Sequence, residues 1–203
     1  MLALQGDTRE HLRALESAGA TPVEVKTAEQ LAGVDALVLP GGESTTIGKL
    51  LDRFDLLGPL KERTNDGMPL YGTCAGLILM ANEIRGGQAA PHRLSVMDVG
   101  VRRNAYGRQV DSFEAELEVK GLDDSFTAVF IRAPVVERVG QGVEVLATCD
   151  DVPVVVRQGH LMASSFHPEM TGDARLHEMF VEMVTGVRGG GALGAGPPRE
   201  KVS

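Results

Sequence analysis

Leu70-Tyr71-Gly72-Thr73-Cys74-Ala75-Gly76-Leu77-Ile78-Leu79-Met80 is the stretch on which the reading of the chain turns. A short apolar run enters, turns sharply at Gly72, presents a cysteine and leaves as an apolar, helix-favouring segment. That is a strand, a turn and a helix with a nucleophile at the turn. Its pattern is G-x-C-x-G, the cysteine counterpart of the G-x-S-x-G elbow. A nucleophile at such a turn sits on strained backbone. Gly72 and Gly76 lack a Cβ, so strand and helix can close around it. The cysteine then lies near a helix N-terminus, whose partial positive charge favours thiolate over thiol.

A lone cysteine in an apolar segment is usually a small buried hydrophobe. This one has a partner downstream. Ser164-Ser165-Phe166-His167-Pro168-Glu169 supplies an imidazole and a carboxylate two residues apart. In an extended chain, residues i and i+2 share a face, and Pro168 disfavours helix at His167. The spacing predicts Cys74 as nucleophile, His167 as its proton partner and Glu169 as the group that orients the ring. Cys149 follows a strand, precedes Asp150-Asp151 and reads as structural.

Outward from the elbow, Val34-Asp35-Ala36-Leu37-Val38-Leu39 has the character of a buried parallel strand. It runs into Pro40-Gly41-Gly42-Glu43-Ser44-Thr45-Thr46, which fails as a phosphate loop: Glu43 stands where the first glycine belongs and Leu50 replaces the hydroxyl residue. Two readings of the turn stay open. It is an ordinary connection with Ser44 as helix N-cap, or it aims backbone N–H groups at a developing negative charge. Upstream, Met1–Leu4 reads as a strand stub. Asp7 and Glu10 suit a capping box for a helix that turns Leu12 and Leu15 inward and ends at Gly19. Thr21–Lys26 reads as a second strand. Helices are expected at Gln30–Ala32 (a short turn), Thr45–Phe54 and Leu56–Arg63, and the elbow helix is expected to reach about Ile84.

Strands near residues 2–4, 22–26, 34–39 and 68–72, alternating with helices, give an α/β fold: a mainly parallel open sheet flanked by helices. After residue 93 the rhythm changes to short β-rich segments: Ser95–Val101, Phe113–Val119, Ala128–Ile131, Glu144–Thr148 and Pro153–Arg157. These predict antiparallel additions that extend or cap the sheet. Leu161–Phe166 is the strand that delivers His167. A last helix over about Gly172–Thr185 carries the apolar stripe Leu176, Met179, Phe180 and Met183, with His177 off the stripe and exposed. His92 reads as a solvated loop residue. The basic run Arg102–Gln109 is either a solvated loop or a clamp on a substrate carboxylate, and Arg132 ends another strand.

Composition narrows the class. At 203 residues the chain is long enough for one well-cored domain, expected over residues 1–186, with a Gly/Pro-rich flexible tail over 187–203. A formal net charge of −8 argues against a nucleic-acid or membrane-surface binder. No apolar run approaches the roughly 20 residues of a membrane span, and the first residues lack the basic segment of a signal peptide. Two cysteines offer no disulfide framework, which predicts a reducing, cytoplasmic setting.

The elbow Gly72-Thr73-Cys74-Ala75-Gly76, the run His167-Pro168-Glu169 and the turn Pro40-Gly41-Gly42 together resemble the class I, or triad, glutamine amidotransferases. Three further stretches are similar to the glutaminase subunits of pyridoxal 5′-phosphate synthase. They are Leu2-Ala3-Leu4-Gln5-Gly6 with Arg9-Glu10-His11, Leu39–Thr45, and Arg103–Gln109, and the likeness runs from Leu2 to about Gly186. The resemblance implies a flavodoxin-like sheet of the class I amidotransferase type and hydrolysis of L-glutamine to L-glutamate and ammonia by Cys74, His167 and Glu169. It implies an oxyanion hole at the backbone N–H groups of Gly42 and Ala75, and glutamine lying against Gly42, Glu43, Ser44, Arg103, Ile131 and Arg132. Ammonia would pass to a separate (β/α)8 synthase subunit that makes pyridoxal 5′-phosphate from ribose 5-phosphate and glyceraldehyde 3-phosphate. Gln5 would lie near that contact, and the glutaminase would be nearly idle until the synthase binds. No metal or cofactor is implied. The family usually carries several residues ahead of Leu2; here they are missing or the start was assigned downstream, so the edge of the first strand stays open while the chemistry does not depend on it.

Two other readings stand beside this one. Another ammonia-donating glutaminase, such as that serving imidazole glycerol phosphate synthesis, would share the triad, but Gln5-Gly6 and Gly42-Glu43-Ser44-Thr45 fit it poorly. A non-enzymatic stress or chaperone protein with an oxidisable elbow cysteine would share the sheet, but needs no His-x-Glu pair on a distant strand.

Overall fold

A computed structural model describes residues 1–86, 91–103 and 112–189. Its helices are α1 (Thr8–Ser17), α2 (Ala28–Ala32), α3 (Ser44–Arg53), α4 (Leu57–Asn65), α5 (Ala75–Met80) and α6 (Arg175–Gly189). Its strands are β1 (Leu37–Leu39), β2 (Leu70–Thr73), β3 (Ala81–Arg85), β4 (Met97–Arg102), β5 (Ser112–Leu117), β6 (Phe126–Ile131), β7 (Val135–Val139), β8 (Glu144–Cys149), β9 (Val152–Gln158) and β10 (Leu161–Ser164).

The central sheet has the order β1-β2-β10-β9-β8. β1, β2 and β10 run parallel, and β9 and β8 continue the sheet antiparallel. The three parallel strands are wholly buried, which is why they read as unbroken apolar runs. Their side chains alternate between two layers. Leu37, Leu39, Leu70, Leu161 and Ala163 pack with Ile47, Leu51, Leu60 and Leu77 of α3, α4 and α5. Val38, Tyr71 and Met162 pack on the other face with Leu15 of α1, and with Leu176, Phe180 and Met183 of α6. The expected α/β architecture with helices on both faces is therefore present. The additions after residue 93 take both expected roles: β8 and β9 extend the sheet, while β3-β4-β7 and β5-β6 form separate small sheets.

Several local expectations are corrected. The segments Met1–Leu4 and Thr21–Lys26 are reduced to one parallel bridge, Leu2 with Val25. Leu2 N–H donates to Val38 (2.9 Å), so the first residues still lie between Val25 and β1. Asp7 stands at the N-cap of α1, but its side chain makes no capping bond and the capping box does not form. α5 stops at Met80, far short of Ile84, and the chain continues as β3. The returning segment explains this: N–H groups of Leu94 and Val96 donate to the carbonyls of Leu79 and Met80 (both 2.9 Å), and β3 then pairs with β4. β7, unforeseen in the sequence, pairs antiparallel with the other side of β4.

α6 begins at Arg175 rather than Gly172 and runs to Gly189. Its buried face is Leu176, His177, Phe180 and Met183, while Met179 is only partly buried. The helix is thus rotated about its axis from the predicted stripe, and His177 is fully buried instead of exposed. His92 is half-buried, with Nδ1 3.5 Å from an Asp52 carboxylate oxygen. Residues 104–109 of the basic run and 190–203 of the expected tail lie outside the described residues. No helix among the described residues is long and apolar enough to cross a membrane.

Candidate active site

Cys74 follows β2 directly and sits at φ 47°, ψ −99°. A non-glycine residue there carries strain of about 1–3 kcal/mol, which persists only when neighbours over-determine it. They do so here. Cys74 N–H donates to the Ser164 carbonyl (2.8 Å), tying the elbow to β10. A Cβ on Gly76 would collide with the Leu39 carbonyl, and one on Gly72 would lie 2.7 Å from the Gly76 carbonyl carbon. α5 can therefore rest on the carboxyl ends of β1 and β2 only with glycine at both positions.

β10 pairs in parallel with β2, placing Ser164 opposite Thr73. Three residues on, His167 is anchored by its own N–H to Val129 of β6 (2.9 Å). The expected extended geometry at His167-Pro168-Glu169 is replaced by a single 3-10 helical turn, Pro168–Met170, with Pro168 at its start. Proline suits that position because its missing N–H is not needed there. The turn carries Glu169 beneath the imidazole, where its Oε1 lies 2.8 Å from His167 Nδ1. Cys74, His167 and Glu169 are all buried. Burial alone would lower the His167 pKa. Hydrogen bonding to Cys74 and Glu169, and their charges, outweigh it and push His167 up to about 10. The ring thus favours the imidazolium form that a proton donor requires.

Cys74 and His167 face a cleft of about 580 Å³. Gln5, Gly42, Glu43, Ser44, Arg103, Ile131 and Arg132, all named from the sequence, line it, as do Asp7, Thr45 and Ile78. Ala75 opens α5 beside Cys74, and Glu169 stands behind His167.

Glu43, not Ser44, caps α3: its carboxylate accepts from the N–H groups of Thr45 (3.0 Å) and Thr46 (2.7 Å). Burial opposes its ionisation, but those bonds hold its pKa below the usual value. Gln5 Oε1 accepts from Glu43 N–H (3.0 Å) and sits against Gly42, whose φ of 136° suits glycine. Arg103 Nη1 donates to Thr45 Oγ1 (3.3 Å), whereas its Nε and Nη2 are buried with no partner among the described residues. Those two atoms form one edge of the guanidinium, the edge that grips a carboxylate. Burial lowers the Arg103 pKa, partly offset by the charge of Glu43.

Three polar residues near the site escaped the sequence reading. Asp7, read only as a cap, has a carboxylate oxygen 3.9 Å from His167 Nδ1. His11 and His177 form a buried pair behind Glu169, with Nδ1 of His11 2.9 Å from Nε2 of His177. The one available signal was helical spacing: His11 and Leu15, at i and i+4, share the buried face of α1. Asp7, His167 and Glu169 place ligand atoms within 4.8 Å of one another, close enough for a metal ion. An ion there would have to displace the proton between His167 and Glu169.

The SNO glutamine amidotransferase family model matches residues 1–186. The pyridoxal 5′-phosphate synthase subunit PdxT of Mycobacterium tuberculosis is 59% identical over 190 residues, covering 91% of this chain and 95% of that protein. PdxT of Nocardia farcinica is also 59% identical, covering 91% and 84%. A solved glutamine amidotransferase superposes with a TM-score of 0.86 at 55% identity, covering 91% of this chain and 97% of its own. PurLQS from Thermotoga maritima, at 14% identity and a TM-score of 0.63, covers 89% and 92% and shares the fold. The chain belongs to the SNO glutamine amidotransferase family.

Proposed function

We propose that this chain is the glutaminase subunit of a pyridoxal 5′-phosphate synthase, with Cys74, His167 and Glu169 as its catalytic triad. The observation that carries the reading is one cleft holding Cys74 at a strained elbow, His167 on Glu169, and an unpaired Arg103 edge. Glutamine binds with its backbone carboxylate on Arg103 and its side-chain amide toward Cys74, against Gly42, Glu43, Ser44, Ile131 and Arg132. The Cys74 sulfur attacks the amide carbon. The carbonyl oxygen takes negative charge, which the N–H groups of Gly42 and Ala75 stabilise. His167 gives its proton to the departing nitrogen, ammonia leaves, and a thioester remains. Water, deprotonated by His167, then releases glutamate and restores the thiol. Glu169 holds the imidazole throughout and stabilises its charge.

Ammonia passes to a (β/α)8 synthase subunit rather than to solvent, and the pair works in the cytoplasm. The names of the close relatives support the pairing. The glycine turn is the natural control point. Gln5 holds the Glu43 N–H, and Gly41 and Gly42 have no side chains to pin their peptide. A partner that engages Gln5 would bias the turn toward the oxyanion-binding state. The deciding measurement is glutamate release from glutamine with and without the synthase subunit. Low release alone and strong stimulation by the partner are expected; no release in either case would refute the reading.

A further inference from the structure

Asp7 stands where a helix ordinarily spends a carboxylate on its own N–H groups. It does not do so here: its side chain makes no capping bond to α1. The backbone explains why. Asp7 sits at φ −80°, ψ 64°, and Thr8 N–H donates to the Gly6 carbonyl across it (2.9 Å). That is an inverse γ-turn with Asp7 at its centre. The turn is seated directly on the site. Gly6, at φ 112°, packs so closely that a Cβ on it would strike the Gly41 carbonyl, and a Cβ on Gly41 would strike the His167 ring. Stacked in this way, residue 7 turns its carboxylate into the cleft, with one oxygen 3.9 Å from His167 Nδ1.

We infer that Asp7 is a second carboxylate for His167, a positioning residue that steadies the imidazolium by charge from the cleft side while Glu169 holds it by a hydrogen bond from below. The inference rests on His167 being the proton donor of the reaction. The Nδ1 proton goes to Glu169 at 2.8 Å, so Asp7 acts through Coulomb attraction alone. Its charge meets the ring on the Nδ1 side, rather than at the nitrogen that serves Cys74. A negative charge there favours the protonated ring. The groups facing His167 are Cys74, Glu169 and Asp7, with His11 held neutral by burial behind them. Glu43, Arg103 and Arg132 line the same cleft. Cys74 and Glu169 carry most of the rise in the His167 pKa. The Asp7 side chain is 52% exposed, so water screens it and its share is smaller than theirs.

The test uses the full chain, alone for spectroscopy and in the synthase complex for rates. Asp7→Asn keeps the shape and the ability to cap α1 but removes the charge. In an NMR titration followed at the His167 ring, the midpoint should fall by about 0.5 to 1 on the pH scale at low salt, the size of one solvent-screened charge at this distance. The difference should shrink at least twofold at about 1 M salt, where the Debye length is about 3 Å. Asp7→Glu keeps the charge and should restore the midpoint. The same comparison in Glu169→Gln, whose His167 midpoint lies nearer neutral pH, reads the effect well within the range of a stable fold. In the complex, kcat of Asp7→Asn should fall about three- to tenfold, the same shift read as a rate, with KM within about twofold. An unmoved midpoint in Asp7→Asn, or a shift indifferent to salt, would overturn the inference. So would a raised KM with kcat unchanged, which would assign Asp7 to the substrate. A wild-type complex without glutaminase activity would overturn the reading on which the inference rests, and the titration would still decide the contact.

Discussion

Replacing Glu169 with Gln keeps the size of the side chain and one carbonyl oxygen but removes the charge. In the native site Oε1 faces His167 Nδ1 at 2.8 Å and Oε2 faces His11 Nε2 at 3.2 Å. Oε2 has no hydrogen-bond partner among the described residues. With the glutamine oxygen toward His167, the NH₂ group takes the place of Oε2 as a buried donor without an acceptor. Reversed, the NH₂ group opposes His167 and drives that ring's proton to the nitrogen that must serve Cys74. Either mismatch costs about 1–3 kcal/mol for a buried unsatisfied donor. The lost charge adds to this. His167 stands at about 10 against an ordinary 6.5, and Glu169 supplies a hydrogen bond and a charge toward that rise. Each pKa unit given back removes ~1.4 kcal/mol of imidazolium stabilisation. Together the two losses are on the order of 4–6 kcal/mol, about 1,000- to 25,000-fold in rate. That agrees with the roughly 10,000-fold known for a triad carboxylate changed to its amide. The assay is glutamate release at saturating glutamine with excess synthase subunit, with thermal melting to check the fold. A folded variant within about tenfold of the wild-type rate would show that another group orients His167.

Four further expectations follow from the same geometry. Cys74→Ala should abolish hydrolysis with the fold retained, an electrophilic glutamine analogue should label Cys74 alone, and Cys149→Ala should keep its rate; equal losses from the two alanine variants would contradict the nucleophile assignment. Arg103→Lys removes the free Nε/Nη2 edge and should raise KM for glutamine about tenfold or more with a smaller effect on kcat; an unchanged KM in initial-rate measurements would mean a different group holds the substrate carboxylate. Gln5→Ala frees the Glu43 N–H and should weaken stimulation by the synthase subunit, read as the ratio of glutamate release with and without it; an undiminished ratio would exclude Gln5 from the coupling. Acid stability should reflect His177, whose pKa is about 4 in the fold against 6.5 unfolded: the unfolded chain binds the extra proton, so stability present above pH 6.5 is lost as pH falls through 4, by about 3 kcal/mol. Chemical denaturation at successive pH values should show that loss, and an equally steep loss in His177→Phe would refute the assignment.

The elbow was legible because its determinants are local. An apolar run, two glycines and a cysteine within five positions allow little besides a strand, a sharp turn and a helix. The alternation of apolar strands and helices between Leu37 and Met80 was legible for the same reason, whereas the two strands read ahead of it shrink to one bridge. Beyond Met80 local pattern misled. Ala81–Arg85 continues the helix as far as propensity goes, and it became β3 because Leu94 and Val96 take the last carbonyls of α5 and β4 offers a pairing edge. At His167-Pro168-Glu169 the pairing of imidazole and carboxylate was foreseen, but through the wrong local geometry. An extended chain and one 3-10 turn both bring i and i+2 within reach, and the anchor on Val129 selected the turn.

From sequence alone came the α/β class, the cysteine at the elbow, the pairing of His167 with Glu169, and the residues that gather along the cleft. Each of these depends on chemistry carried within a few residues, or on a resemblance spread along the chain. Tertiary structure alone decided what lies behind His167 and Glu169. His11 sits on α1 and His177 on α6, 166 positions apart. Apart from the i, i+4 spacing of His11 and Leu15 on α1, nothing near either in sequence marks it as buried or paired. Only the packing of both helices on one face of the central sheet brings them together beneath Glu169. Burial there holds both rings neutral, because taking an imidazolium out of water costs more than taking out the neutral ring.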